Sequence, residues 1–170
     1  MSLTFVAATL VATGCTNAMD GTASPSTTGA AGASSTKSGN ADAFGTMEAC
    51  QVLDQLLAGH GFDAGERISA RNECHASKFD FATYSLALDS TQGLTEYRAQ
   101  NPGATMTSIN GRTAMQATPE EGMCEFALDV DQHARALATV TMARAKDATQ
   151  ACSNAQQYAE QLESLLPKAR

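Results

Sequence analysis

The sequence predicts an α+β fold: an antiparallel β-sheet with helices packed on it at the N- and C-terminal ends of the domain, stapled by disulfides. Three observations carry this prediction. Apolar residues recur at helical spacing near residue 50 and again near residue 155. Between these stretches lie short runs in which apolar and polar residues alternate, as they do in strands buried on one face. Two of the runs are joined by Asn110-Gly111, the preferred two-residue hairpin turn, because both central residues must take positive φ.

The first helix is expected to start at Thr46, whose hydroxyl can cap it, and to carry Met47, Cys50, Leu53, Leu56 and Leu57 on one stripe. Gly59 and Gly61 end it. A short strand over residues 72–76 carries Cys74, and a second over 81–88 alternates Tyr84, Leu86 and Leu88 with small residues. Residues 93–100 read as a short helix around Leu94 and Tyr97, closed by Asn101-Pro102-Gly103. The hairpin follows, with strands over 106–109 and 112–115. After a loop at 119–122, Cys124, Phe126, Leu128 and Val130 alternate strictly with Glu125, Ala127, Asp129 and Asp131, so one strand face is buried and the other wet. Residues 137–143 are its expected partner. A last helix over 148–165 presents Cys152, Ala155, Ala159, Leu162 and Leu166, and Pro167 stops it.

The N-terminus reads as an address rather than a fold element. Residues 3–13 form an uncharged, mostly apolar run too short to span a bilayer, closing on Gly14-Cys15. The stretch Val11-Ala12-Thr13-Gly14-Cys15 resembles a bacterial lipobox, in which a diacylglyceryl group is attached to the cysteine thiol. Residues 1–15 are therefore expected to be a lipoprotein signal peptide, with Cys15 as the lipidation site. Ala12 stands where the lipobox pattern prefers Leu, and no Lys or Arg precedes Lys37. The missing basic segment points to a start upstream of Met1 or to a trimmed N-terminus. A plain secretory signal, with Cys15 a free thiol, is the alternative. Residues 16–45, rich in Thr, Ser, Gly and Ala, are expected to be a disordered tether with ends on the order of 30 Å apart. Residues 46–170 form the single α+β domain.

The four remaining cysteines, Cys50, Cys74, Cys124 and Cys152, contain no C-x-x-C pair, which favours two structural disulfides over a zinc or redox centre. Four cysteines allow three pairings. The expected pairs are Cys50–Cys152, both in first turns of helices, and Cys74–Cys124, both at starts of strands.

The layout as a whole is similar to a family of actinobacterial four-cysteine lipoproteins catalogued as a domain of unknown function. The similarity rests on Ala49-Cys50-x-Val-Leu, a second cysteine before the Tyr84–Leu88 segment, Ile109-Asn-Gly-Arg-Thr-Ala114, Cys124-x-Phe-x-Leu-x-Val130, and Ala151-Cys152-x-x-Ala leading to Leu165-Leu166-Pro167. It implies a Mog1/PsbP-like α+β sandwich and an envelope address, and it leaves the mechanism open. Many relatives carry Trp two residues after the second cysteine; Ala76 stands there in this chain.

The net charge of −7 disfavours nucleic acid and anionic membrane surfaces as electrostatic partners. With no Trp and 5% aromatics, little material is left for a stacking platform. His60, His75 and His133 lack metal-ligand spacing, and no catalytic residue, metal ligand or cofactor-binding pattern stands out. Cys74-His75 is not a nucleophile and its base, because strand neighbours point to opposite faces. The row Glu125, Asp129, Asp131 is expected to be a wet strand face, Arg112 a solvated hairpin residue, and Met106, Met115, Met123 and Met142 pliable core filler. The expected function is non-enzymatic: a lipid-anchored protein on the extracytoplasmic face of the cell membrane, binding an unknown envelope protein in an accessory role. A carrier of a lipid or other apolar ligand is the alternative, and an uncharacterised envelope enzyme the second.

Overall fold

The computed structural model describes residues 43–169. The signal segment, Cys15 and most of the expected tether lie outside the described residues. Seven strands form one antiparallel sheet in the order β1-β2-β3-β7-β6-β5-β4. They are β1 (Glu66–Arg67), β2 (Glu73–Lys78), β3 (Ala82–Asp89), β4 (Thr105–Ile109), β5 (Arg112–Ala117), β6 (Met123–Asp131) and β7 (Ala134–Met142). Helices α1 (Ala49–Leu57) and α3 (Ala151–Glu163) cover one face, while α2 (Leu94–Gln100) lies between β3 and β4 in sequence. A 3-10 helix over Ala145–Gln150 leads into α3. The α+β prediction holds.

The main core packs α1 and α3 on the faces of β2, β3, β6 and β7 through Leu53, Cys74, Leu86, Phe126, Leu128, Val140 and Leu162. Alanines thin the central layer: Ala136 and Ala138 on β7 are fully buried, as are Ala155 and Ala159 on α3. A helix carrying methyl groups there can approach a sheet carrying methyl groups, and close packing without voids supplies the dispersion contact that larger side chains would give elsewhere. The opposite face is not simply wet, as the alternation of β6 implied. Tyr97 of α2 packs on Ala104, Met115, Ala117 and Ala127 in a second, smaller core.

Several expectations need correction. The folded region starts before Thr46, because Phe44, placed in the tether by composition, is buried in the main core. Thr46 does not cap α1. Asn72 does so from the far side of the loop: its Oδ1 accepts from the Ala49 N–H at 2.7 Å and its Nδ2 donates to the Met47 carbonyl at 2.8 Å. The hairpin turn is as expected, with Asn110 at φ 50° and Gly111 at φ 88°.

The disulfides join Cys50 to Cys74 and Cys124 to Cys152. The expected pairs Cys50–Cys152 and Cys74–Cys124 are wrong, and the strand order shows why. Cys74 on β2 and Cys124 on β6 are separated by β3 and β7, so three inter-strand spacings of about 4.8 Å put them roughly 14 Å apart. A disulfide tolerates Cα separations of about 4.4–6.8 Å. Each bridge instead ties a helix to the strand it rests on, with Cα atoms 5.1 and 4.9 Å apart.

Arg112 is not a solvated cation. Only 8% exposed, it donates to the Asp129 carbonyl at 2.8 Å, to the Pro167 carbonyl at 2.8 Å and to Glu163 Oε1 at 3.1 Å. Its planar fork of donors fastens the segment after α3 to the β5–β6 side of the sheet.

Candidate functional site

An aromatic cleft opens where the end of α1, the β2–β3 hairpin and α3 converge. Two reversals after α1 shape one wall. Gly59 and Gly61 take positive φ (78° and 76°), a region closed to most side chains, and they turn the chain so that Phe62 comes back against the hairpin. The Asp63 N–H then donates to the Ser77 carbonyl at 2.8 Å, pinning the loop to β2. On the hairpin, Phe81 and Tyr84 face the same space. From α3, Tyr158 completes the floor.

The four rings form a continuous ladder of edge contacts. Phe62 meets Phe81 at 6.2 Å and Tyr84 at 4.8 Å between centroids, and Tyr84 meets Tyr158 at 5.2 Å. Such edge-to-face pairs each add about 0.5–1.5 kcal/mol beyond burial. The cleft has a volume of about 250 Å³ and is open to solvent, with Leu56, Lys78 and the amides of α3 also lining it. Lys78 Nζ lies 5.4 Å from the Phe81 ring and 6.0 Å from the Phe62 ring and donates to the His60 carbonyl at 2.8 Å. Burial pushes the Tyr84 and Tyr158 hydroxyls up, Tyr158 far more strongly. The Tyr158 hydroxyl is fully buried and has no hydrogen-bond partner among the described residues. At the hairpin tip beside the cleft, Phe79 is 97% exposed.

The residues singled out in the sequence are placed elsewhere. His75 Nε2 lies 3.8 Å from Glu66, and His133 Nδ1 lies 3.2 Å from Glu96. His60 does line the cleft: it is exposed there, and its backbone carbonyl accepts from Lys78. Cys74, next to His75, is consumed by its disulfide. In the acidic row, Glu125 accepts from the Tyr97 hydroxyl at 2.9 Å, and Asp131 accepts from the Gln132 N–H. Desolvation raises the Asp129 carboxyl despite the opposing charge of Arg112. Among the described residues no three His, Cys, Asp or Glu side chains gather as a metal-ligand set. Of the four methionines, Met115 and Met142 are buried, Met123 is half-buried, and Met106 stands out on β4, 54% exposed.

Compared with protein-family models, with curated proteins and with solved structures, the chain finds no match.

The cleft itself was missed in the sequence, although a signal for it exists. Four of the nine aromatic residues, Phe62, Phe81, Tyr84 and Tyr158, line it, and a fifth, Phe79, stands in the chain between the lining residues Lys78 and Phe81. A low aromatic content spread over the chain concealed a local concentration.

Proposed function

We propose that this chain is a cell-envelope lipoprotein, anchored through a lipid on Cys15 on the extracytoplasmic face of the membrane, whose domain docks a protein partner in a non-enzymatic accessory role. The resemblance to the actinobacterial four-cysteine lipoproteins is part of the same proposal. Two disulfides suit an oxidising compartment. Among the described residues no helix is long and apolar enough to cross a membrane.

The observation that carries the docking reading is the pairing of an aromatic cleft with the fully exposed Phe79 beside it. A large apolar side chain at 97% exposure contributes nothing to packing within the domain. Aromatic side chains dominate the energetics of protein interfaces, clustering in desolvated pockets. The volume favours a partner's side chain over a carried lipid. About 250 Å³ of open space falls below the roughly 300–1,000 Å³ of clefts that enclose a whole small ligand.

Two measurements test the proposal. The mass of protein extracted from its own membranes is expected to equal the chain from Cys15 plus diacylglyceryl, minus four hydrogens for two disulfides. A photoreactive residue at position 79 is expected to cross-link one discrete protein, while the same residue at Arg98, an exposed site on α2, does not. Equal labelling from both positions, or none from position 79, refutes docking at the cleft.

A further inference from the structure

Resting on the reading of the cleft as a partner's seat, we infer that the occupant is a protein segment presenting an aromatic side chain with a carboxylate beside it. Three features of the cleft specify that chemistry.

The first is charge. The chain holds 18 acidic residues against 11 basic ones, yet no Asp or Glu lines the cleft, and Lys78 is its one Lys or Arg. The rest of the polar lining is His60, the Tyr84 and Tyr158 side chains, and the amides Asn154, Gln157 and Gln161 along one wall of α3.

The second is the state of the Lys78 ammonium. Among the described residues no carboxylate lies within ion-pair distance of it, whereas Arg67, Arg112, Arg135 and Arg144 each meet one. Its one hydrogen bond goes to a neutral carbonyl, that of His60, so donors remain for a ligand. Because it sits over the Phe62 and Phe81 rings, an anion meeting it at the aromatic wall is partly shielded from water, where charge pairs are stronger than on an open surface.

The third is size. An apolar cavity of about 150 Å³ accepts benzene. The 250 Å³ here accepts a ring with a short arm bearing a carboxylate, and the ring ladder of Phe62, Tyr84 and Tyr158 offers edges and faces for it to pack against.

The test uses the intact oxidised domain on its tether and three probes: 3-phenylpropionate, its neutral counterpart 3-phenylpropan-1-ol, and N-acetyl-Phe-Asp-amide. Binding is followed by NMR at the Leu56 methyl groups and the Tyr84 ring. The acid is expected to bind about fivefold more tightly than the alcohol, and Lys78→Met is expected to abolish that preference. Lys78 is exposed, and a melting curve superimposable on wild type establishes that the variant is folded. The dipeptide is expected to bind at the same resonances at least as tightly as the free acid. Equal binding of acid and alcohol, or a preference that survives Lys78→Met, overturns the inference and leaves the cleft as an uncharged seat. Binding of the free acid without the dipeptide overturns the protein segment in favour of a small aromatic acid. No shift with any probe overturns the inference and the docking reading together.

Discussion

Replacing Tyr158 by Phe removes one oxygen that is fully buried and unpaired. A buried hydroxyl without a partner costs about 1–3 kcal/mol. The ring stays in edge contact with Tyr84, so no cavity opens. Tyr158→Phe is therefore expected to raise stability by about 1 kcal/mol. The same substitution at Tyr97 has the opposite sign. Its hydroxyl donates to Glu125 at 2.9 Å, and its ring lies 5.3 Å from the Arg135 guanidinium. Tyr97→Phe strips Glu125 of that donor and should cost about 1–2 kcal/mol. The described domain has 127 residues, counting 43 to 169 inclusive. At about 2.1 cal/mol/K per residue the unfolding entropy is roughly 0.27 kcal/mol/K, so 1 kcal/mol moves the Tm by about 4 °C. Calorimetry of the oxidised protein at neutral pH should place Tyr158→Phe about 4 °C above wild type and Tyr97→Phe about 4–8 °C below it. A Tyr158→Phe variant that melts below wild type would refute the reasoning, because the hydroxyl would then have a stabilising partner.

Three further outcomes are expected. The disulfides span 24 and 28 residues, so opening either by a double Cys→Ala substitution should cost about 3.5 kcal/mol in urea unfolding, nearly the same for both; clearly unequal losses would mean that local packing outweighs loop closure. Arg112→Met removes the donors that hold the Asp129 and Pro167 carbonyls and the charge that pairs Glu163, and should cost about 2–4 kcal/mol. Amide hydrogen exchange near residues 163–167 should rise in that variant before exchange in the sheet does. Burial raises Tyr84, Tyr97 and Tyr158, with Glu125 adding to the shift of Tyr97. The folded chain thus holds protons that the unfolded chain releases near pH 10. Stability from this source is whole below about pH 10 and falls above it, by up to about 1.4 kcal/mol per pH unit for each tyrosine; a Tm independent of pH from 9 to 11 would contradict the burial.

What could be read from the sequence is what neighbouring residues decide among themselves. The turn at Asn110-Gly111, the buried row Cys124, Phe126, Leu128 and Val130 and the stripe of α3 are local patterns, and all three are present. The failures share another origin. Strand β1 is two charged residues whose only reason to be a strand is the register Glu66 to His75 and Arg67 to Cys74. Arg112 looks like an ordinary turn residue until α3 returns with Glu163 and Pro167, more than 50 positions later. Disulfide pairing depends on strand order, and the sheet places β7 between β3 and β6, which no spacing of cysteines encodes. The cleft needs Phe62, brought round by two glycines, to meet Tyr158 of the last helix. Periodicity assigned that helix its alanines and leucines but passed over the tyrosine on the same stripe.

The pairing of each cysteine with the next one along the chain also bears on how the bridges are made. A polypeptide delivered amino end first presents Cys50 and Cys74 together before Cys124 has emerged, so with Cys15 taken up by its lipid, as proposed, an oxidant acting at that stage has one choice, which is the native one. Cys124 and Cys152 then find each other as the only thiols left in the domain. Order of arrival alone selects one of the three isomers, so the slow reshuffling that nested or crossed bridges require is not needed for this chain to reach its native covalent form.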